Sequence, residues 1–369
     1  MSGIYIHIPF CKSKCTYCDF ASYPKEINKA ESYFACLYRE IEAKGRENKG
    51  KVFDTVYIGG GTPSFVNPNY IAGAIRQVKK FFELSNNPEI TIELNPGTVD
   101  ENKISIYKSV GINRFSIGLQ TGYDEQLKKL NRIHTAKEFL ECCNLLKGEN
   151  ISADILLGLE NQTVEQVKRS IDLALAGGAK HISTYALTPE VGTPIYNDYL
   201  NGLLLSEDEV ADIYDEARAY LKEKGLDRYE VSNFSYPGYQ SKHNLNYWQR
   251  GEYVGVGVSA SSFVNGLRYT NTFNIDEYIN CIIYNKSPII SSDKIEEEDA
   301  KFEFIMLALR TEKGMPIKKF NQEFNADFCL EYKQVLDKNA KYLNIDGDYL
   351  SIKEQYLYVQ NGIILQFMK

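Results

Sequence analysis

The sequence has no strong excess of either charge, no long apolar run and few cysteines, and each absence narrows what the chain can be. With 42 Lys and Arg against 49 Asp and Glu, the net charge is −7, which argues against a general nucleic-acid or anionic-membrane binder. Even AKFEFIMLAL is too short and too charged to span a bilayer. Eight cysteines in 369 residues are too few for a disulfide scaffold, and no basic, apolar, cleavable leader precedes the first strand-like run at Ile4. A cytoplasmic protein with reduced thiols is expected. The chain also lacks a Gly-x-Gly-x-x-Gly turn, a P-loop lysine and a second Cys or His knuckle of the kind structural zinc uses. Its length predicts one large domain plus one or two small ones.

A rhythm of strands and amphipathic helices is present. IYIHI from Ile4, TVYIG from Thr55, EITIEL from Glu89, RFSIGLQ from Arg114, ISADILLG from Ile151 and HISTYALT from His181 read as strands. ESYFACLYREIEAK, NYIAGAIRQVKKFF, AKEFLECCNLLK and VEQVKRSIDLALAGG between them return apolar residues every three or four positions. Successive β-α units imply a parallel sheet, either open or curled into a barrel. Parity favours the barrel. Ile4, Ile6 and Ile8 oppose Tyr5 and His7; Ile90, Ile92 and Leu94 oppose Thr91 and Glu93. Phe115, Ile117 and Leu119 oppose Ser116, Gly118 and Gln120; Ile151, Ala153 and Ile155 oppose Ser152 and Asp154. An open sheet covered by helices on both sides wants two apolar faces. One apolar and one polar face suit an α/β fold built as a partial (β/α)6 TIM-like parallel barrel whose lumen holds a polar ligand.

Residues 1–225 are read as this barrel and residues 226–290 as an aromatic and Gly-rich extension containing HNLNYW. Residues 291–369 read as a C-terminal domain of winged-helix-like order, with helical runs followed by a hairpin turning at Asp346 and Gly347. This last segment is not notably basic, so it is taken as a packing or partner-contact domain with no nucleic-acid role. Cys36, Cys142, Cys143, Cys281 and Cys329 lie scattered on helical runs and are expected to be buried, and His134 and His181 are expected to be structural.

Cys11, Cys15 and Cys18 form Cys-x3-Cys-x2-Cys in HIPFCKSKCTYCDF, after the first strand. Three clustered thiols fall one short of a structural zinc site, unless His7 completes it. On a four-iron cubane they leave one iron open as a binding site. IGGGTPS places Gly59, Gly60 and Gly61 directly after a strand, so bare backbone can approach a ligand. A tight β-α turn would have the same composition.

Cys-x3-Cys-x2-Cys followed by an aromatic resembles the radical S-adenosylmethionine superfamily. That resemblance implies a 4Fe-4S cluster whose open iron is chelated by S-adenosylmethionine, and reductive cleavage of the sulfonium to a 5'-deoxyadenosyl radical. IYIHIPFC, GGGTPS, EITIELNPGT, RFSIGLQ, LNRIH, DILLGL, GYQSKHNLNYW and GVSAS extend it over nearly the whole chain. They narrow it to the coproporphyrinogen III oxidase-like branch of the haem chaperone type. Matched position by position, the resemblance implies S-adenosylmethionine contacts from Tyr5, Gly60, Gly61, Thr62, Glu93, Gln120, Arg132, Asp154, Ala186 and Ser261. Chemically, Gln120 and Asp154 can satisfy ribose hydroxyls, Glu93 can accept from an ammonium and Arg132 can hold a carboxylate.

The oxidase version of this branch carries a further cysteine two residues after the third, where this chain has Phe20, and an extension before the first strand. HNLNYW is similar to the chaperone's signature, with His243 as an axial ligand for haem and Tyr247 and Trp248 as flat contacts. Read without the resemblance, it is a His-Asn turn beside a core tryptophan. The resemblance implies haem as cargo, apo-haemoprotein acceptors such as membrane-bound respiratory enzymes, and a reductant protein for the cluster. The alternative function is oxidative decarboxylation of coproporphyrinogen III.

Overall fold

The alternation of apolar and polar residues is followed by the backbone. In the computed structural model, which describes residues 1–368, six parallel strands follow one another across one sheet. They are β1 (Ser2–Ile8), β2 (Val52–Gly60), β3 (Glu83–Leu94), β4 (Arg114–Gln120), β5 (Asn150–Leu157) and β6 (His181–Ala186). The apolar sets on β1, β3, β4 and β5 are all buried in a single cluster beneath the helices. Each such side chain contributes ~1.5–3 kcal/mol by leaving water. The opposite faces of the strands turn to a lumen, which makes this a partial barrel with polar contents.

Helices Ala30–Glu47, Pro68–Phe81, Ala136–Leu145 and Val164–Ala176 stand where their periodicity places them. The last two start at capping boxes, Thr135 with Glu138 and Thr163 with Gln166, which satisfy otherwise orphaned N–H groups. Two further helices, Glu101–Ser109 and Glu207–Glu223, have no counterpart among the expected patterns. The first buries only Ile104 and Tyr107, too few for a visible stripe. The strand expected from Glu89 begins at Glu83, because backbone pairing with Val52 and Phe53 extends it through polar, partly exposed residues.

Residues beyond 226 add to both edges of the same sheet. Strands β7 (Asp227–Glu230) and β8 (Asn233–Ser235) join beyond β6, with β8 antiparallel to it, while β9 (Glu252–Val256) lies parallel to β1. Strands β10 (Ser261–Val264), β11 (Leu267–Asn271) and β12 (Ile289–Lys294) continue outward from β9, giving twelve strands. Between β8 and β9 the helix Lys242–Trp248 lies across the end of the lumen remote from the cysteine loop. Glu89 accepts from the Lys242 and His243 N–H groups at 3.2 and 3.1 Å, and Gly3, at the start of β1, lies against the His243 ring.

The C-terminal helices Glu297–Ala308 and Ile317–Phe324 pack with a small sheet around a second apolar cluster that includes Phe304, Phe320, Phe328 and Leu350. Its strands are β13 (Met315–Pro316), β14 (Leu343–Asp346) and β15 (Tyr349–Ile352), in the order β13-β15-β14. Ion pairs Arg218–Glu354, Arg228–Glu312 and Arg250–Glu303 tie this unit to the barrel. Cys36, Cys142 and Cys143 are buried, but Cys281 is only partly so and Cys329 is exposed. Phe328 takes the core position of its short helix, and the next residue is turned about 100° away. Among the described residues no helix is long and apolar enough to cross a membrane.

Candidate functional site

The loop after β1 carries the three cysteines and is pinned from several sides. Gly61 N–H donates to Ile8 O and Thr62 N–H to Phe10 O, both at 2.8 Å, while Tyr23 N–H closes the loop on Pro9 O at 2.7 Å. All three thiols are free and line one cavity of about 510 Å³. Each has a polar neighbour: the Thr62 hydroxyl donates to Cys11 Sγ at 3.5 Å and Arg132 Nη1 to Cys15 Sγ at 3.6 Å, and the Ser22 hydroxyl stands 3.9 Å from Cys18 Sγ. Burial pushes the Cys11 and Cys18 thiols up, against these neighbours.

Among the described residues no three His, Cys, Asp or Glu side chains converge as ligands of a single ion would. His7 has both ring nitrogens engaged, with the Tyr5 hydroxyl at 3.0 Å and Ala21 O at 2.8 Å. Three thiols spread around a shared cavity suit a cluster whose irons each take their own thiolate. The glycine turn fits too. A Cβ on Gly61 would fall 2.8 Å from Cys11 Sγ, and Gly60 has φ of 115° with the His7 ring 2.7 Å from where a Cβ would stand. Neither position accepts a side chain without displacing the cysteine loop or its support.

The lumen gathers most of the other expected contacts. Gly60, Gly61, Thr62, Glu93, Gln120, Arg132, Asp154 and Ala186 line the same cavity as the thiols, whereas Tyr5 and Ser261 line a neighbouring one. Glu93 accepts from the Tyr57 hydroxyl at 2.9 Å and from Gly60 N–H at 3.2 Å, and burial lifts its pKa to about 7. An ammonium placed there would gain a nearly desolvated carboxylate. Burial likewise raises Asp154, opposed by the Ser183 hydroxyl, the Arg114 and Arg132 charges and the Ser116 hydroxyl. Gln120 ends β4 at φ of 68°, where the register with β5 slips. Such a left-handed residue costs on the order of 1–3 kcal/mol and persists where the surroundings impose it. Arg132 Nη2 donates to Gly118 O at 2.8 Å, while its buried Nε has no partner.

The second cavity, about 850 Å³, lies against the first. Lys14, Asp19, Phe20 and Ser22 of the cysteine loop line both. Its other walls come from Tyr5 and His7 of β1, Tyr247, Tyr253, Phe263, Phe273, Arg250 and Arg268. A third cavity of about 270 Å³ lies between Trp248, Tyr247, Tyr185, Asn244 and Glu230. It shares Tyr185 and Asn244 with the thiol cavity and Tyr247 with the larger one.

Tyr247 and Trp248 therefore face cavities, but His243 is enclosed at 1% exposure. Its Nδ1 meets the Thr55 hydroxyl at 2.7 Å, its Nε2 meets the Tyr247 hydroxyl at 2.9 Å, and its ring stacks on Tyr57. Burial lowers its pKa to about 3. As placed, neither nitrogen can ligate iron until one of these bonds opens. His134 and His181 also have both nitrogens engaged, His134 with Asn95 Oδ1 and Leu119 O and His181 with the Ser152 and Tyr229 hydroxyls.

Tyr57 and the buried Arg114, whose Nε has no hydrogen-bond partner, also line the lumen and were not singled out from the sequence. Parity could have found both, since Tyr57 opposes Val56 and Ile58, and Arg114 shares the face of Ser116. The larger cavity had no such signal, because its walls come from segments far apart in the chain.

The family model for the radical SAM superfamily matches residues 5–174, and that for the HemN C-terminal domain matches residues 295–358. "Heme chaperone HemW" of Lactococcus lactis is 32% identical, over 100% of this chain and 97% of that protein. The protein of the same name from Escherichia coli is 33% identical, over 86% and 85%. "Radical S-adenosyl methionine domain-containing protein 1, mitochondrial" of Bos taurus is 36% identical, over 70% and 60%. Among solved structures, coproporphyrinogen III oxidase (HemN) from Escherichia coli, a radical SAM enzyme, superposes with a TM-score of 0.87 at 19% identity, covering 100% of this chain and 90% of that one. At that identity the likeness concerns the fold.

Proposed function

The chain belongs to the radical S-adenosylmethionine superfamily and, within it, to the HemW family, and from that premise we propose that it binds haem and passes it to apo-haemoproteins. In this reading Cys11, Cys15 and Cys18 hold a 4Fe-4S cluster, and S-adenosylmethionine occupies the lumen beside it. When bound, the cluster supplies the single electron that cleaves the sulfonium. The chain's own residues bind and orient: Glu93 accepts from the ammonium, Arg132 holds the carboxylate, and Gln120 and Asp154 take the ribose hydroxyls.

The observation that carries the reading is the shared wall. The larger cavity, lined by Tyr247, Tyr253 and Phe263, abuts the thiol cavity along the cysteine loop, so a flat aromatic cargo would lie next to the cofactors. Phe20 stands on that wall, 64% exposed, where the oxidase version has its extra cysteine. His243 reaches the iron only by giving up one of its two hydroxyl partners, and of these Tyr247 is the one that lines the larger cavity, which makes it the gate to axial ligation. A reductant protein supplies the electron. The acceptors include membrane-bound respiratory enzymes, reached from the cytoplasmic face.

Anaerobic reconstitution followed by parallel addition of haem and of coproporphyrinogen III tests the assignment. Stoichiometric haem binding, transfer to an apo-haemoprotein and no decarboxylated product are expected. Formation of protoporphyrinogen IX with S-adenosylmethionine and a reductant, together with unaltered haem spectra in His243→Ala, would overturn it in favour of the oxidase.

A further inference from the structure

Two guanidinium groups share one aromatic ring at the larger cavity. The Arg250 and Arg268 guanidinium carbons lie 4.9 and 5.4 Å from the Phe263 ring centroid, and all three residues line the cavity. Their orientation is set from behind by the C-terminal domain. Glu303, on helix Glu297–Ala308, accepts from Arg250 Nε at 3.0 Å through one oxygen and from Arg268 Nη1 at 2.7 Å through the other. Glu323 adds a longer contact of 3.5 Å to Arg250 Nη1. Glu303 does not itself line the cavity.

Cationic groups outnumber acids on the cavity lining, where Lys14, Arg250 and Arg268 face Asp19, while Glu303 and Glu323, which pair with the arginines, stand behind it. A guanidinium has five N–H donors in a rigid fork, and one carboxylate bridging two of them leaves donors on each. Contact with Phe263 on one side and Glu303 on the other restrains both groups, so less side-chain freedom is lost when a further acceptor arrives. Most of the remaining wall is aromatic, with Tyr5, Tyr23, Tyr247, Tyr253 and Phe273 beside small residues such as Ser259 and Gly251. A ligand matched to this surface has a flat apolar body and carboxylates at its edge.

We propose that Arg250 and Arg268 form a carboxylate-recognition site that takes the propionates of the tetrapyrrole cargo, with Glu303 as the residue that positions them. This rests on the haem reading above and assigns to that cargo an orientation, its propionate edge toward β9–β11 and the C-terminal domain.

The test compares haem with its dimethyl ester, which keeps the ring and the iron but has no carboxylates. Reconstituted full-length protein is titrated with each and followed by Soret absorption. Wild type is expected to bind haem about ten- to hundredfold more tightly than the ester, the range of one charge-assisted hydrogen bond. Arg250→Met and Arg268→Met should each remove most of that preference, with cluster iron content unchanged, and Arg268→Lys should restore part of it. The ester comparison on wild type needs no variant to fold. Equal affinity for haem and ester in wild type would overturn the carboxylate site while leaving haem binding intact. Absence of any haem binding by wild type would remove the haem reading and this proposal together.

Discussion

The two large cavities are built in different ways. The thiol cavity is lined by the cysteine loop that follows β1 and by inward residues of the consecutive parallel strands β2 to β6, in chain order. The larger cavity is lined by the cysteine loop, β1, strands β9–β11 beside it, the helix Lys242–Trp248 and Leu307 of the C-terminal domain. The first is held by backbone pairing and a continuous apolar cluster. The second depends partly on side-chain ion pairs between separate cores. A cofactor that must be placed to a fraction of an ångström sits in the first kind of site. A cargo that must arrive and leave suits the second, one side of which, at Leu307, is held by ion pairs and not by strand pairing.

Removal of any loop thiol should separate the two sites most sharply. Cys11→Ala, Cys15→Ala and Cys18→Ala should each abolish bound iron and sulfide, whereas Cys142→Ala, buried beneath the helices, should keep both. Tightly bound zinc in anaerobically purified protein, with no sulfide, would break the comparison at its first member.

The lumen carboxylates come next. Asp154→Ala should weaken S-adenosylmethionine binding by about 1.5–3 kcal/mol, ten- to hundredfold, with the cluster still assembled. Burial lifts the Glu93 pKa to about 7, and only its ionised form pairs with an ammonium. Affinity should therefore fall as pH drops below about 7, by up to about tenfold per unit, and Glu93→Gln should flatten that dependence. Calorimetric titration between pH 6 and pH 8 checks both. A pH-independent wild type would place the ammonium elsewhere.

His243 touches Tyr57 of the lumen and Tyr247 of the larger cavity without lining either, and its substitution should be felt as stability first. His243→Ala leaves the Thr55 and Tyr247 hydroxyls without their partner, at a cost of about 1–3 kcal/mol at pH 7. In the folded wild type the ring takes a proton only near pH 3, while in the unfolded chain it does so near 6.5. Wild type therefore loses about 1.4 kcal/mol per pH unit on this account as pH falls below about 6.5. The gap between wild type and variant should narrow by that amount, as read from urea midpoints at pH 7 and pH 5.5.

Tyr247→Phe has the smallest expected effect on folding, about 1 kcal/mol, and is the most informative for ligation. It frees His243 Nε2 and should strengthen the Soret signature of an axially ligated haem. An unchanged spectrum in both Tyr247→Phe and His243→Ala would leave haem binding to the aromatic wall alone.

The barrel was legible because a strand displays its environment with a period of two. Ile4, Ile6 and Ile8 mark the outer face, and Glu93, Gln120 and Asp154 mark the lumen, by alternation alone. The cysteine spacing and the glycine turn were legible for a related reason, since each is confined to one loop after one strand. Cys329 and the helix Glu101–Ser109 were not, because a short helix with few buried residues shows no reliable stripe.

What the sequence by itself determined is therefore the set of local elements and the chemistry on each face: a parallel barrel, three thiols after β1 and a polar lumen. Tertiary structure alone decided that β9 pairs with β1, that Glu303 reaches Arg250 and Arg268 from another core, and that His243 is enclosed between Thr55 and Tyr247. Apart from His243 with Tyr247, these contacts join residues 35 to 250 positions apart. No local periodicity encodes such pairings, because they depend on how completed elements pack and not on which element each residue prefers.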